Sequence, residues 1–342
     1  MRKQIIFTAG DGGYASYRIP TCIALPSGRV ISFCEGRLDS LSDYGCIRVL
    51  ARISDDGGKT FGPAFIAASD SAHTVGNPCP VYDRETGRLF LLFNGNRADG
   101  GEHLILQGKA PRSVYICESD DMGSTWSPLR DITPSVKPSL WTWHATGPCH
   151  ALQLRSGRLI VPCNHAVLDP QSSKSGPYIS GTLYSDDHGK TWHAGADIAP
   201  ETNECSLAEL SNGNLYMNMR SYAGKNRRAA AVSRDEGATW QDFRLDDTLI
   251  EPVCQGSVIS VTGTDTLYFS NPASTSREKL TIRKSTDGGR TWAGSLCIHP
   301  GPAAYSDMAL LSDGTIFVLY ECGAQSAYEQ ICAAYIDPAE II

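Results

Sequence analysis

The sequence predicts an all-β protein folded as a six-bladed β-propeller of four-stranded antiparallel blades. Two observations carry this prediction: a turn motif occurs five times, and a strand–turn–strand pattern occurs six times, along 342 residues. Self-similarity at a regular spacing indicates repeated supersecondary units, and propeller blades are units of this kind. A closed ring of blades would use the whole chain, so we expect residues 1–342 to form a single β-propeller domain.

The first repeat is the turn motif Ser-x-Asp-x-Gly-x-x-aromatic. We expect each aspartate to accept hydrogen bonds from N–H groups of its turn, each glycine to adopt a positive φ, and each aromatic ring to pack back on the sheet. The aspartates are therefore interpreted as structural. The five copies run from Ser54 to Phe61, Ser119 to Trp126, Ser185 to Trp192, Ser233 to Trp240 and Ser285 to Trp292.

The second repeat is a tight turn between two apolar strands, and its spacing is about the length of a four-stranded blade. Five of the six copies are followed by the aspartate turn. The sixth is followed only by a last strand around residues 331–335, so we expect the N-terminal strand around residues 5–7 to complete that blade. The six turn glycines are Gly28, Gly87, Gly157, Gly213, Gly263 and Gly314.

Charge and composition narrow the functional classes. The net charge of −7 argues against a nucleic-acid groove and gives no overall attraction for an acidic ligand, so an anion site must depend on clustered arginines. No apolar run is long enough for a membrane span, and the N-terminus lacks the apolar stretch of a signal peptide. Twelve scattered cysteines fit free thiols in a reducing cytosol. We therefore expect a cytoplasmic protein, with secretion after signal removal as the alternative.

Polar residues collect at one end of the predicted inner strands. Strands of this length place them on one rim of the ring. We expect Arg18, Arg37 and Arg220 to approach the axis from separate blades, where they would repel one another unless an anion neutralised them. A carboxylate or phosphate ligand is therefore predicted. Counted from the turn glycines, the rim residues are Arg18, Asn77, Gly147, Glu204, Gln255 and Tyr305 on one side of the turn, and Arg37, Asn96, Arg220 and Glu321 on the other.

The segment Tyr17-Arg18-Ile19-Pro20 resembles the motif that opens sialidases, or neuraminidases. Further segments that resemble this family follow in the family's order, among them Glu35-Gly36-Arg37, Asn77-Pro78-Cys79-Pro80, Met219-Arg220-Ser221 and Ala304-Tyr305-Ser306-Asp307. The resemblance covers the whole chain. It implies a six-bladed propeller, exo-sialidase activity on sialylated glycans or oligosaccharides, and no cofactor.

The resemblance also implies roles for residues that bind the substrate. Arg18, Arg220 and Arg277 would form the triad that grips the carboxylate of sialic acid. Arg37 would assist near that carboxylate and the neighbouring hydroxyl. Asn77 matches a family position that contacts the glycerol or the N-acyl side of the sugar.

The same resemblance makes Glu204 and Tyr305 the nucleophile pair and Asp43 the general acid/base. A carboxylate nucleophile would be repelled by the sugar carboxylate, and a neutral phenol avoids this repulsion; sialidases are the known tyrosine-nucleophile exception among glycosidases. Asp39 lies in the same serine-rich loop and is the alternative to Asp43. Glu102 could reach the site from its loop, but we expect it at the surface.

Other interpretations remain open. A zinc site at Cys149-His150 and Cys163-x-His165 is disfavoured, because adjacent or alternating strand residues seldom converge on one ion. The rival functions are a non-catalytic sialic-acid-binding propeller, a scaffold or unrelated glycosidase with the same turns, a trans-sialidase, and a hydrolase for deaminated sialic acid. The first of these would keep the arginines and lose the catalytic tyrosine, glutamate or aspartate, all of which this chain retains.

Overall fold

The computed structural model describes residues 1–71, 73–172 and 174–342, and within these ranges the protein is almost entirely β-structure. Two short α-helices interrupt the strands, α1 (Glu102–Leu106) and α2 (Thr133–Val136), together with the 3-10 turns Asp11–Gly13 and Pro338–Glu340. No helix in the described ranges is long and apolar enough to cross a membrane.

The strands follow one another in antiparallel groups along the chain. The early strands are β1 (Arg2–Thr8), β2 (Ser16–Ala24), β3 (Val30–Arg37), β4 (Ile47–Ser54), β5 (Phe65–Ala68), β6 (Thr74–Tyr82), β7 (Leu89–Asn96), β8 (Arg112–Ser119) and β9 (Arg130–Asp131). The middle strands are β10 (Trp141–Thr146), β11 (Leu152–Gln153), β12 (Leu159–Asp169), β13 (Lys174–Ser185), β14 (His193–Ala194), β15 (Thr202–Glu209), β16 (Leu215–Ser221), β17 (Arg227–Ser233) and β18 (Gln241–Ile250). The last are β19 (Ser257–Ser260), β20 (Leu267–Pro272), β21 (Glu278–Ser285), β22 (Gly294–Leu310), β23 (Ile316–Cys322) and β24 (Gln330–Ile336).

Hydrogen bonding joins these strands into sheets of seven, five, four and eight strands. The eight-stranded sheet is continuous through one parallel bridge between Ile47 and Thr74. The seven-stranded sheet is continuous because the first part of β22 pairs with β21 and its second part pairs with β23. The prediction of six separate four-stranded sheets is therefore met only in part, although the all-β class is confirmed.

The N-terminal strand completes the sheet that contains the C-terminal strands, as predicted. Strand β1 pairs antiparallel with β24, from Arg2 opposite Tyr335 to Thr8 opposite Gln330. This pairing satisfies the edge of β24, which would otherwise be exposed. The two ends of the chain are thereby held in one sheet.

The repeated aspartate turns have the predicted structure. In the first, Asp56 accepts hydrogen bonds from the Thr60 N–H at 2.9 Å, the Thr60 hydroxyl at 2.7 Å and the Ser54 hydroxyl at 2.7 Å. Gly58 adopts a φ of +80°, which an L side chain would disfavour. The serine and threonine contacts recur in the other four copies. All five turns have this threonine directly before the aromatic residue, at a position that the motif left unspecified.

The turn aromatics pack each group of strands against the preceding group. Trp126 contacts Phe33 of β3 edge to face with ring centroids 5.9 Å apart, a favourable arrangement for aromatic pairs. Phe61, from the first aspartate turn, contacts Phe317 of β23 at 6.1 Å. Because the first turn packs on strands near the end of the chain, these contacts connect the first and last groups of strands. The aromatic positions therefore hold neighbouring groups of strands together, as well as closing their own turns.

Candidate active site

All eight residues that the sequence predicted for the site line one cleft of about 200 Å³. They come from six strands and two loops, which lie far apart in the sequence. The cleft residues predicted from sequence are Arg18, Arg37, Asp43, Asn77, Glu204, Arg220, Arg277 and Tyr305.

Irregular pairing in the inner strands aims these side chains into the cleft. The register shifts between Arg18 and Thr21 in β2, between Gly76 and Cys79 in β6, between residues 202 and 205 in β15, and between residues 303 and 306 in β22. Such bulges redirect side chains and are frequent beside active sites. Ile19 has a φ of 58°, a costly conformation for a β-branched residue, so backbone strain is located at the wall of the cleft.

Tyr305 and Glu204 form a hydrogen-bonded pair in the cleft. The Tyr305 hydroxyl donates to Glu204 Oε1, and Arg220 NH1 donates to Glu204 Oε2 at 2.7 Å and to the Tyr305 oxygen at 3.4 Å. The glutamate therefore contacts both the phenol and an arginine. A hydroxyl in contact with a base that is itself held by a third group is the arrangement typical of activated nucleophiles.

The charge state of Tyr305 depends on its neighbours. Burial and the negative charge of Glu204 raise the pKa of Tyr305 well above its ordinary value, while Arg220 and Arg277 oppose this effect. The phenol is therefore protonated in the resting protein. To act as a nucleophile it must transfer its proton as it reacts, and Glu204 is the acceptor already in contact with it.

Arg18 is held by a carboxylate from the other end of the chain. Arg18 Nε donates to Glu321 Oε1 at 2.7 Å, and the buried Glu321 also accepts from the backbone N–H groups of Ile19 at 2.8 Å and Tyr305 at 3.1 Å. Although burial disfavours its charge, this ion pair holds the pKa of Arg18 above its ordinary value. Glu321 thus fixes one wall of the cleft and the backbone of the tyrosine together.

Arg277 has a different environment from Arg18 and Arg220. Its NH1 donates to the Tyr328 hydroxyl at 2.7 Å, and its guanidinium lies 5.7 Å from the centre of the Tyr305 ring. Among the described residues, no carboxylate forms an ion pair with Arg277. It therefore offers the cleft a positive charge that the protein itself does not neutralise.

Asp43 lies at the mouth of the cleft. Its carboxylate is 2.8 Å from Arg37 NH1 and 3.9 Å from Arg18 NH1, and its side chain is 77% exposed. Arg37 is anchored from the opposite side by Glu35, which accepts from Arg37 NH2 at 2.7 Å. Asp39, the alternative to Asp43, is not among the described residues that line the cleft. The geometry therefore favours Asp43.

Two expectations about the arginines were wrong. Arg18 and Arg37 lie on β2 and β3, which pair with each other in one sheet, and not on separate blades. Their repulsion also requires no external anion, because Glu321 pairs with Arg18, Glu35 with Arg37 and Glu204 with Arg220. The argument for an anionic ligand therefore rests on Arg277, whose charge remains unpaired in the described structure.

A buried aspartate organises the strands beneath the cleft. Asp307 accepts hydrogen bonds from Thr21 Oγ1 at 2.8 Å, Ser257 Oγ at 2.7 Å and His150 Nδ1 at 2.8 Å. Its carboxylate therefore connects strands β2, β19 and β22, and it lies two residues after Tyr305. His150, considered above as a metal ligand, is engaged by this aspartate, and the described residues contain no group of three or more His, Cys, Asp or Glu placed to hold a metal ion.

Sequence reasoning assigned no role to the aromatic wall of the cleft. Trp143 and Tyr222 line it, and Tyr178 stacks on Tyr222 with ring centroids 5.7 Å apart. Glu102 was expected at the surface; its side chain is exposed, but it lines the cleft and accepts a hydrogen bond from Tyr178. A second missed residue is Arg112, the first residue of β8, which lies directly opposite Asn96 of the predicted rim. Extending the rim count to the third strand of each group would have found it.

Comparison with known proteins defines the class of protein. Residues 40–318 match the family model described as BNR repeat-like domain. The chain is 32% identical to a sialidase of Micromonospora viridifaciens over 98% of its own length, covering 54% of that protein. It is 30% identical to sialidase-3 of Bos taurus, covering 98% of this chain and 93% of the relative. The solved structure of the Hadza microbial sialidase Hz136 superposes with a TM-score of 0.88 at 30% identity, over 98% of this chain and 68% of that one.

These matches, together with the cleft, define a glycoside hydrolase with a β-propeller type of fold. The chain belongs to the sialidase family. It is accordingly an exo-sialidase, an enzyme that hydrolyses glycosidic bonds of sialic acid.

Proposed function

We propose that this enzyme removes terminal N-acetylneuraminic acid from glycoconjugates with retention of configuration, through a covalent tyrosyl–sialoside. The observation that carries the proposal is the hydrogen bond from the Tyr305 hydroxyl to Glu204. Arg220 donates hydrogen bonds to both of these side chains. Substrates are sialylated glycans or oligosaccharides. In this proposal residues 1–342 act as a single catalytic domain, and the strand groups correspond to the six blades of the propeller.

Binding is assigned to the positive side of the cleft. The carboxylate of the sugar approaches Arg277, the arginine without a protein carboxylate, while Arg18 and Arg220 flank it. Planar guanidinium groups match the two oxygens of a carboxylate, so the site favours sugars that carry this group. Arg37 lies on the side of the cleft where Asp43 is, and in this proposal it contacts the sugar near its carboxylate.

In the first chemical step, the Tyr305 oxygen forms a bond to the anomeric carbon as the bond to the leaving oxygen breaks. Glu204 takes the phenolic proton, and Asp43 donates a proton to the leaving oxygen. In the second step, Asp43 takes a proton from water, whose oxygen attacks the anomeric carbon as the bond to Tyr305 breaks. Glu204 then returns the proton to the tyrosine, so atoms and charge balance over the cycle.

A tyrosine nucleophile is favoured over Glu204 for an electrostatic reason. The sugar carboxylate is attached to the carbon under attack, so an approaching glutamate would bring two negative charges close together in a poorly solvated cleft. The phenol is neutral when it approaches, and its charge appears only as the proton moves to Glu204. Nearby arginines then stabilise the developing phenolate.

The test is covalent trapping with 2,3-difluorosialic acid, whose fluorine at C3 slows breakdown of the adduct. The C2 fluoride leaves, so we expect a mass increase of one 3-fluorosialosyl group, located by digestion on the peptide that contains Tyr305. Tyr305→Phe should lose the label and still bind the 2,3-dehydro analogue. A label on Glu204 in the native enzyme would refute the mechanism.

Assays of the native enzyme also separate the rival functions. Turnover of a sialoside in the presence of lactose, with products resolved by chromatography, distinguishes release of free sialic acid from transfer to the acceptor. Predominant transfer would identify a trans-sialidase. Binding of the analogue with neither label nor turnover would identify a sialic-acid-binding protein.

A further inference from the structure

Arg112 is a buried cation in the wall of the cleft whose hydrogen-bond partners are all neutral. Its NH2 donates to Asn77 Oδ1 at 2.7 Å, its NH1 to Asn96 Oδ1 at 2.6 Å and its Nε to the His144 carbonyl at 2.7 Å. The guanidinium lies 4.2 Å from the centre of the Trp143 ring. Among the described residues, no carboxylate lies within ion-pair distance of it. Burial lowers the pKa of Arg112 to about 10, which leaves it protonated at neutral pH.

A guanidinium can only donate hydrogen bonds, so it dictates how an amide beside it is oriented. The atom of Asn77 that faces Arg112 must be the oxygen, and the other amide atom, Nδ2, must point elsewhere. Asn77 lines the cleft, and no partner for its Nδ2 is found within the described ranges. The donor of Asn77 is therefore presented to the cleft.

The backbone of Asn77 is held independently of Arg112. Its N–H donates to Glu35 Oε1 at 2.9 Å, and its carbonyl accepts from Thr146 Oγ1 at 2.6 Å. The preceding residue must be small, because a Cβ on Gly76 would lie 2.2 Å from Glu35 Oε1. With the main chain fixed at both polar groups, the rotation of the amide is the freedom that remains, and Arg112 removes it.

We propose that Arg112 is a positioning residue that locks the Asn77 amide with its NH2 group towards the bound sugar, so that this part of the cleft selects a hydrogen-bond acceptor such as the carbonyl of an N-acyl substituent. This inference rests on the proposed function in that the sugar binds in this cleft. It concerns selectivity between sugars and is independent of which residue is the nucleophile.

The preference of the enzyme between N-acyl and deaminated sugars should therefore depend on the orientation of the Asn77 amide. An N-acyl carbonyl only accepts hydrogen bonds, so it loses its partner if Asn77 turns its oxygen outward. A hydroxyl at the same position both donates and accepts, and it can pair with either orientation. Loss of Arg112 should therefore harm cleavage of the N-acetyl substrate more than cleavage of its deaminated analogue.

The test measures kcat/KM for fluorogenic glycosides of N-acetylneuraminic acid and of deaminated sialic acid. In Arg112→Met, we expect the ratio of the two values to fall about 3- to 10-fold, the range for one net hydrogen bond. Arg112→Lys should retain most of the ratio, because an ammonium group also only donates. Asn77→Asp should lower the ratio at least as far, since a carboxylate can pair with Arg112 but has no donor to offer.

The matched control is Arg283→Met. Arg283 also donates to an asparagine, Asn271 Oδ1 at 3.1 Å, in a different sheet and away from the residues that line the cleft. We expect Arg283→Met to leave the ratio unchanged. Equal losses on both substrates in Arg112→Met, or the same ratio change in the control, would overturn the positioning role.

Two safeguards keep the result interpretable. If Arg112→Met does not fold, as judged by circular dichroism, Arg112→Lys and Asn77→Asp still test the proposal: a ratio unchanged in Asn77→Asp would refute it. Trapping of the native enzyme tests the catalytic mechanism separately. Failure to label Tyr305 would refute that mechanism and leave the comparison of the two substrates valid.

Discussion

Replacing Glu321 by Gln should destabilise the protein, because this buried carboxylate neutralises Arg18 and joins two strands of the cleft. Its oxygens accept from Arg18 Nε at 2.7 Å, from the Ile19 N–H at 2.8 Å and from the Tyr305 N–H at 3.1 Å. Glutamine keeps the shape but has one acceptor oxygen. Its NH2 group would face donors on the other side, and Arg18 would remain as an unpaired buried charge.

The expected loss of folding free energy follows from the burial of the Arg18–Glu321 ion pair. Breaking a buried ion pair by removing one charge costs about 3–5 kcal/mol, and we use about 3 kcal/mol because glutamine retains one acceptor. The unfolding entropy of about 2.1 cal/mol/K per residue gives roughly 0.7 kcal/mol/K for 342 residues. The melting temperature should therefore fall by about 4 °C. We also expect kcat/KM to fall, since the variant releases both Arg18 and the backbone of Tyr305.

The assay is differential scanning calorimetry of the two proteins at pH 7, with Asp120→Asn as the control. Asp120 pairs with Arg88 at 2.7 Å, but its side chain is 76% exposed, and exposed pairs contribute about 0–1 kcal/mol. The control should therefore shift the melting temperature by no more than about 1.5 °C. A shift of Glu321→Gln no larger than that of the control would refute the assignment of Glu321 as the counter-ion of Arg18.

Three further changes test the site and the fold. Arg277→Lys should raise KM strongly, because one ammonium group cannot replace a planar fork that binds both carboxylate oxygens; unchanged steady-state kinetics would remove Arg277 from the substrate-binding set. Asp43→Ala should reduce cleavage of sialyllactose far more than cleavage of an aryl sialoside, since a phenol leaves without protonation and an alkoxide does not; equal losses would point to a structural role. The hydrogen bond from Thr125 helps to lower the pKa of Asp121 to about 2, from about 3.9 for an unfolded chain. Its contribution to stability is therefore complete above about pH 4 and is lost as the pH falls towards 2, so urea denaturation should show a smaller loss on acidification for Asp121→Asn than for the native protein.

The features predicted correctly from sequence were those determined by short, repeated sequence motifs. Each turn glycine has a positive φ, from 75° at Gly87 to 98° at Gly157, because the conformation is set by the few residues around it. Counting from these glycines placed Asn77 and Tyr305 in the cleft, since strand length fixes which residues reach the rim. Local rules were sufficient wherever the structure repeats.

The partners of the charged groups were not predictable in this way. Arg18 and Glu321 are 303 positions apart, and nothing in either segment identifies the other as its counter-ion. The sequence did predict that arginines meet in one cleft. We inferred an external anion from this alone, but carboxylates of the protein itself pair with most of these arginines. What distinguishes Arg277 from Arg18 and Arg220 is the lack of a carboxylate among its described contacts, a property of the assembled cleft. Arg112 also lacks a carboxylate, but its Nε, NH1 and NH2 each donate to a neutral acceptor, whereas among the described contacts of Arg277 only NH1 has a partner. An arginine that has neither a carboxylate nor neutral acceptors for all its nitrogens is therefore a better indicator of where an anionic substrate binds than an arginine that merely faces the axis.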